Sequence, residues 1–116
     1  MKPYWYRVML TAKPAALSAG LAVGLLLPCI GTADPTPARQ TELRNLLKND
    51  CGACHGLTLQ GGMGPTLLPE RLAGKPDDLL VTTILEGRKG TAMPPWQPFM
   101  SRDEAEWLVG VLRKNK

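Results

Sequence analysis

The sequence predicts an all-α fold, with three main helices and long loops wrapped around one bound group. Three observations carry this expectation. Apolar residues recur at helical spacing in three separate stretches, two of them opened by proline and one by a capping box. The stretches between them are long, rich in glycine and proline, and without a sustained period. And Cys51-Gly52-Ala53-Cys54-His55 has the C-x-x-C-H spacing of a c-type haem attachment site.

The chain has 116 residues, enough for one small domain. Residues 1–33 read as a targeting segment. Lys2, Arg7 and Lys13 make a basic start, Ala15 to Leu27 is an apolar run, and Gly31-Thr32-Ala33 supplies small residues before a cut ahead of Asp34. An uncleaved anchor is the alternative, but the uninterrupted run is shorter than the roughly 20 residues of a spanning helix. Pro28 before Cys29 departs from the small-residue preference of a lipoprotein cleavage box. The expected mature domain is therefore 34–116, without stable membrane insertion once the segment is cut. Export suits the motif, since covalent haem attachment takes place outside the bacterial cytoplasm. The expected compartment is the periplasm.

Thr36-Pro37 can open a helix, with threonine as N-cap and proline in the first turn. Leu43, Leu46, Leu47 and Cys51 then follow at helical spacing, with Arg39, Glu42, Arg44 and Lys48 on other faces. Helix one is expected from about Ala38 to Asp50, leading into the haem peptide.

In that peptide two thiols can add to the porphyrin vinyl groups, and His55 can sit beneath the iron as an axial ligand. Cys51 and Cys54 three apart place both sulfurs on one side. A redox dithiol would want a βαβ setting, which the rest of the chain does not offer. Structural zinc needs four ligands. The chain has three Cys and one His, and Cys29 falls in the targeting segment.

Gly56 to Gly74 reads as a loop around the histidine side of the haem, with Leu57, Leu59, Leu67 and Leu68 inward. Loops of this length are uncommon unless they enclose something. A ligating histidine normally donates its second ring N–H to a carbonyl or carboxylate. A backbone carbonyl in Gly64-Pro65-Thr66 is the expected acceptor.

Helix two is expected from about Pro76 to Glu86. Asp77 and Asp78 favour its N-terminus, Leu79, Leu80, Thr83 and Ile84 recur at helical spacing, and Gly87 stops it. Arg88 to Met100 contains three prolines, which exclude a helix and stiffen the segment. Met93 precedes Pro94-Pro95, so its backbone should be extended. A rigid loop of this kind can hold a thioether against iron, which makes Met93 the expected second axial ligand. Met100 is the next choice and Met63 a further rival, while a single methionine can also simply fill a core. Trp96 can pack against the haem edge with its indole N–H near a propionate, or be plain packing.

Ser101-x-x-Glu104 is a capping box. Trp107, Leu108, Val111 and Leu112 form one apolar face behind it, and Arg113, Lys114 and Lys116 suit the C-terminal end. Helix three is expected from about Arg102 to Lys114, packed across helix one, with Trp107 in the core rather than acting as an electron relay.

From Asp34 onward there are 11 basic and 10 acidic residues, a net +1. Much of the chain's +4 thus sits in the targeting segment. No basic run or aromatic ladder supports nucleic-acid binding. The domain is small enough that its own core is thin, and the haem would supply the missing apolar centre.

Histidine and methionine ligation would fill the iron and favour the ferrous state. That pattern argues for one-electron transfer and against oxygen, nitrite or peroxide chemistry. No catalytic constellation occurs elsewhere, so the expectation is a carrier and not an enzyme.

The order of N-terminal helix, C-x-x-C-H, Gly-Pro loop, Met-Pro loop and C-terminal helix resembles class I cytochromes c. Asp50-Cys51-Gly52-Ala53-Cys54-His55-Gly56-Leu57, Gly61-Gly62-Met63-Gly64-Pro65 and Met93-Pro94-Pro95-Trp96 resemble, more narrowly, the cytochrome c55X (NirC) type. That resemblance implies the class I cytochrome c fold and one haem c attached at Cys51 and Cys54. It implies iron ligation by His55 and Met93, and the histidine-supporting carbonyl at Pro65. It also implies electron delivery in denitrification to cytochrome cd1 nitrite reductase, or to the enzymes that build its haem d1. A haem-based small-ligand sensor, in which Met93 dissociates, is a further alternative. A monomer making weak, transient complexes is expected of a carrier.

Overall fold

The computed structural model describes residues 33–115. The expected targeting segment, apart from Ala33, lies outside them. Among the described residues there is no strand, and none of their helices is long and apolar enough to cross a membrane. The elements are α1 (Pro37–Leu46), a π-helical turn (Leu47–Cys51), α2 (Gly52–His55), α3 (Pro69–Leu72), α4 (Asp77–Glu86) and α5 (Arg102–Lys114). The described residues are all-α, as their periodicity predicts.

α1 begins as its sequence dictates. The Thr36 side chain accepts from the Arg39 amide at 3.3 Å, and Pro37 occupies the first turn, where its missing N–H costs nothing. The helix does not stop near Asp50. It passes through a π turn, in which the Gly52 N–H donates to the Leu47 carbonyl, and runs on to His55. Cys51 to His55 thus form the end of the first helix. A π turn inserts one residue into the α register and so rotates the Cys51–His55 segment relative to α1.

α4 starts at Asp77, with Pro76 as its extended cap rather than within its first turn, and stops at Gly87, whose φ is 67°. α5 has the expected limits. Ser101 accepts from the Glu104 amide at 3.3 Å, and the Glu104 carboxylate accepts from the Ser101 amide at 2.8 Å. Reciprocal satisfaction of this kind contributes about 1 kcal/mol.

The core gathers Leu43, Leu47, Leu59, Leu72, Val81, Met100, Ala105, Leu108, Val109 and Leu112. Leu43, Val81, Leu108 and Val109 are fully buried, each contributing about 1.5–3 kcal/mol by area removed from water. α5 packs chiefly on α4, with smaller contacts to α1 and α3. The expectation that it packs across α1 is therefore only part of the arrangement. Arg113 shows why. It donates to the Asp77 carboxylate at 2.6 Å and to the carbonyls of Leu72 and Lys75, tying the end of α5 to α3 and to the start of α4.

Two expectations within residues 56–74 are corrected. Pro69 opens the short helix α3 rather than only a turn, and Leu72 from that helix enters the core. Leu57 does not point inward; it is 70% exposed, while Leu59 is buried.

Candidate functional site: a haem peptide and two loops

The site is built from three pieces: the end of the first helix, the loop after it, and the strap after α4. Cys51 closes the π turn, while Cys54 and His55 lie in α2. Both thiols are free and half-buried. Burial, reinforced by the Asp50 carboxylate, pushes the Cys51 thiol up to about 11. It is therefore a thiol at neutral pH, unlike the low-pKa cysteine of a redox dithiol. Among the described residues no three His, Cys, Asp or Glu side chains gather where they could hold a metal ion by themselves. Neither observation favours the dithiol or the zinc alternative.

His55 is 9% exposed. Its Nδ1 lies 2.7 Å from the Pro65 carbonyl oxygen. A carbonyl can only accept, so Nδ1 carries the proton and the Nε2 lone pair is left to bind a metal. The loop is built to hold this ring. Gly61 N–H donates to the His55 carbonyl at 2.8 Å, and Gly64 N–H donates to the Cys54 carbonyl at 2.9 Å. A Cβ on Gly64 would lie 2.7 Å from His55 Cε1, so the loop backbone rests directly against the imidazole. Leu59, with φ of 60°, turns the chain within this loop. Its carbonyl accepts from Leu67 N–H and from the Thr66 hydroxyl.

The strap from Arg88 to Met100 is fastened to the end of α4. Trp96 N–H donates to the Ile84 carbonyl at 3.2 Å, and Gln97 N–H donates to the Leu85 carbonyl at 3.1 Å. Those carbonyls belong to the last turn of α4 and have no partner within the helix. Met93 is half-buried, its N–H donates to Thr91 Oγ1 at 3.3 Å, and its carbonyl accepts from Arg88 N–H at 3.1 Å. The rival methionines are placed differently. Met100 is 4% exposed within the core, and Met63 is 79% exposed. Trp96 is half-buried against the core, with its ring 5.7 Å from that of Phe99. Trp107 is likewise packed against the core, with the Arg44 guanidinium 5.0 Å from its ring centroid.

Cys51 and Trp96 both border the same core, which draws the peptide and the strap to one centre. Two thiols and one histidine with a committed Nδ1 on one helical segment suit a covalently attached haem. A groove of about 580 Å³ between α1 and α5, lined by residues including Arg44 and Trp107, contains none of the candidate residues.

One contributor escaped the reading of the sequence. Arg39 donates to both oxygens of Glu104 at 2.7 and 3.2 Å, to Glu42 at 2.8 Å and to the Phe99 carbonyl at 2.7 Å. It joins α1, the start of α5 and the far end of the strap. Helical spacing places Arg39 away from the apolar stripe but does not say what it reaches.

The family described as cytochrome c oxidase, cbb3-type, subunit III matches residues 38–110. A cytochrome c55X from Pseudomonas aeruginosa is 53% identical over 99 residues, covering 84% of this chain and 83% of that protein. A cytochrome c55X from Stutzerimonas stutzeri is 46% identical, covering 90% of this chain and 94% of the relative. A dihydro-haem d1 dehydrogenase from Pseudomonas aeruginosa is 38% identical over 93 residues, which cover 80% of this chain but 18% of that longer protein. Among solved structures, a c-type cytochrome NirC superposes with a TM-score of 0.69 at 54% identity, covering 71% of this chain and 96% of that one.

Proposed function

This chain belongs to the cytochrome c55X family of c-type cytochromes, and from that premise we propose that it is a periplasmic monohaem electron carrier which delivers single electrons to cytochrome cd1 nitrite reductase. The family supports haem c and electron transfer in denitrification. The finer reading is that one haem would be bound through thioethers at Cys51 and Cys54, with His55 and Met93 as the residues that would bind its iron. Residues 34–116 form the working domain once the targeting segment is cut, and it acts as a carrier rather than an enzyme.

The single observation that carries this reading is the His55 Nδ1 to Pro65 carbonyl hydrogen bond at 2.7 Å. It fixes the tautomer, so that Nδ1 carries the proton and the Nε2 lone pair is left free to bind a metal. When bound, the haem supplies an iron that exchanges one electron between ferrous and ferric states. His55 and Met93 would bind that iron, and Cys51 and Cys54 would carry the haem. His55 is clamped by its loop, Met93 is bracketed through its N–H and carbonyl, and Trp96 would pack at the haem edge. Two fixed ligands leave little to reorganise on electron transfer, and methionine raises the potential.

A second reading is supported by the likeness to part of a dihydro-haem d1 dehydrogenase. In that reading the cytochrome serves haem d1 assembly and exchanges electrons with an assembly enzyme. Stopped-flow oxidation of the reduced, haem-loaded protein by purified cytochrome cd1 nitrite reductase, at two salt concentrations, separates the two. Fast, salt-sensitive oxidation is expected of a direct donor. Slow oxidation at both salts would reject direct donation and favour the assembly role.

A further inference from the structure

The strap that carries Met93 approaches α4 more closely than any side chain at its point of contact would allow. That point is Gly87, the residue that ends α4. A Cβ there would lie 2.6 Å from the Pro94 carbonyl carbon and 2.7 Å from the carbonyl oxygens of Met93 and Pro94. These are backbone atoms, so they cannot yield by changing rotamer. Gly87 also has φ of 67°, which L side chains rarely adopt.

We infer that Gly87 is a positioning residue for Met93, setting the fraction of molecules in which the methionine engages the iron. The inference rests on the reading of Met93 as the second axial ligand. Three hydrogen bonds close the strap around this contact: Arg88 N–H to the Met93 carbonyl at 3.1 Å, Trp96 N–H to Ile84 at 3.2 Å and Gln97 N–H to Leu85 at 3.1 Å. Pro94 and Pro95 lie between the first bond and the other two and resist bending. The strap is thus a stiff arch, closed on Arg88 at one end and on the Ile84 and Leu85 carbonyls of the last turn of α4 at the other, and Gly87 sits between these points. A thioether is a weak donor, so its occupancy depends on how well the backbone presents it. A methyl group at residue 87 must push Met93 and Pro94 away from the helix and carry the thioether with them.

Gly90 is the internal control. It lies in the same strap with φ of 79°, yet no heavy atom lies within 4 Å of its would-be Cβ. An alanine there would also sit at positive φ, but without the collision. The experiment compares haem-loaded wild type, Gly87→Ala, Gly90→Ala and Met93→Ala. Three quantities are read in each: the far-red ferric absorption band of methionine–haem ligation, the midpoint potential, and the affinity of the ferric form for imidazole. Gly87→Ala should weaken the band, lower the potential and raise imidazole affinity about tenfold, as the fraction with a free sixth position grows. Gly90→Ala should match wild type in all three. A Gly87→Ala protein that matches wild type, or a Gly90→Ala protein shifted as far as Gly87→Ala, overturns the inference. A Met93→Ala protein that keeps the band refutes the ligand assignment instead. If Gly87→Ala does not fold, Gln97→Pro removes the N–H donated to Leu85 without adding bulk at residue 87. It should then raise imidazole affinity, and unchanged affinity would overturn the inference.

Discussion

The loop on the histidine side and the strap on the methionine side look alike in sequence, since both are rich in glycine and proline. They are held in different ways. The histidine loop folds back on the peptide before it: Gly61, Gly64 and Pro65 all bond to Cys54 or His55, within ten residues. The strap has local bonds too, from Arg88 N–H to the Met93 carbonyl and from Met93 N–H to Thr91. It is also held by other elements, namely the α4 carbonyls of Ile84 and Leu85 and Arg39 on α1, which reaches the Phe99 carbonyl. His55 is therefore held by contacts within its own segment. Met93 depends in addition on how the strap meets α4 and α1, so changes far from the site should reach Met93 more readily than His55.

The sharpest way to break this comparison is to damage the local clamp itself. Gly64→Ala places a Cβ 2.7 Å from His55 Cε1. Overpacking of this kind costs about 1–3 kcal/mol. Thermal unfolding should show that loss, accompanied by a change in the haem spectrum from the histidine side. Unaltered stability and spectrum would mean that the loop is slack and the contrast is wrong.

A smaller effect is expected from Arg39→Ala. The variant loses the paired bonds to Glu104 and the bond to Phe99. The side chains of Arg39 and Glu104 are 32% and 20% exposed, so solvent screens the pair and the expected loss is about 1–2 kcal/mol. The informative result is its direction. The far-red ferric band should weaken on heating before the helices melt, because the strap is released first. If band and helicity are lost together, the strap is no more remote-controlled than the histidine loop.

The smallest effect is that of acid. Hydrogen bonding to Arg39 holds the Glu104 carboxyl below its ordinary value of 4.5. A depressed folded value means that the pair's stabilisation is complete above the unfolded value and is lost as pH falls through the folded one. Stability should decline below about pH 4.5, and the decline should be shallower in Arg39→Ala. Equal acid slopes in the two proteins would show that this ion pair contributes nothing to the joint.

How much of the molecule was legible in the sequence depends on how local each cause is. The limits of α5 were readable because Ser101 and Glu104 cap it and Leu108 and Leu112 share a face. The Cys51–His55 peptide and the proline-stiffened Met93 segment were readable for the same reason. The π turn at Leu47–Cys51 was not, because a shift from i−4 to i−5 bonding depends on packing rather than composition. The partner of α5 was not readable either: an apolar stripe says that a face is buried, not against which helix. Leu59 with φ of 60° has no signal in its residue type, and Arg39 looked like one of several solvated charges. The role of Gly87 was half visible. Its place as a helix stop was plain, but the nearness of Met93 and Pro94 was not.

The central claim is that His55 and Met93 complete the coordination of one haem. Its most direct test is the ferric absorption spectrum of haem-loaded Met93→Ala beside Met100→Ala. Met100 is buried in the core, so its loss should cost about 2–5 kcal/mol of stability yet leave the far-red methionine band in place. Met93→Ala should abolish the band, and the potential should fall with it. If the band survives in Met93→Ala and disappears in Met100→Ala, the strap does not present the ligand and the account fails at its centre.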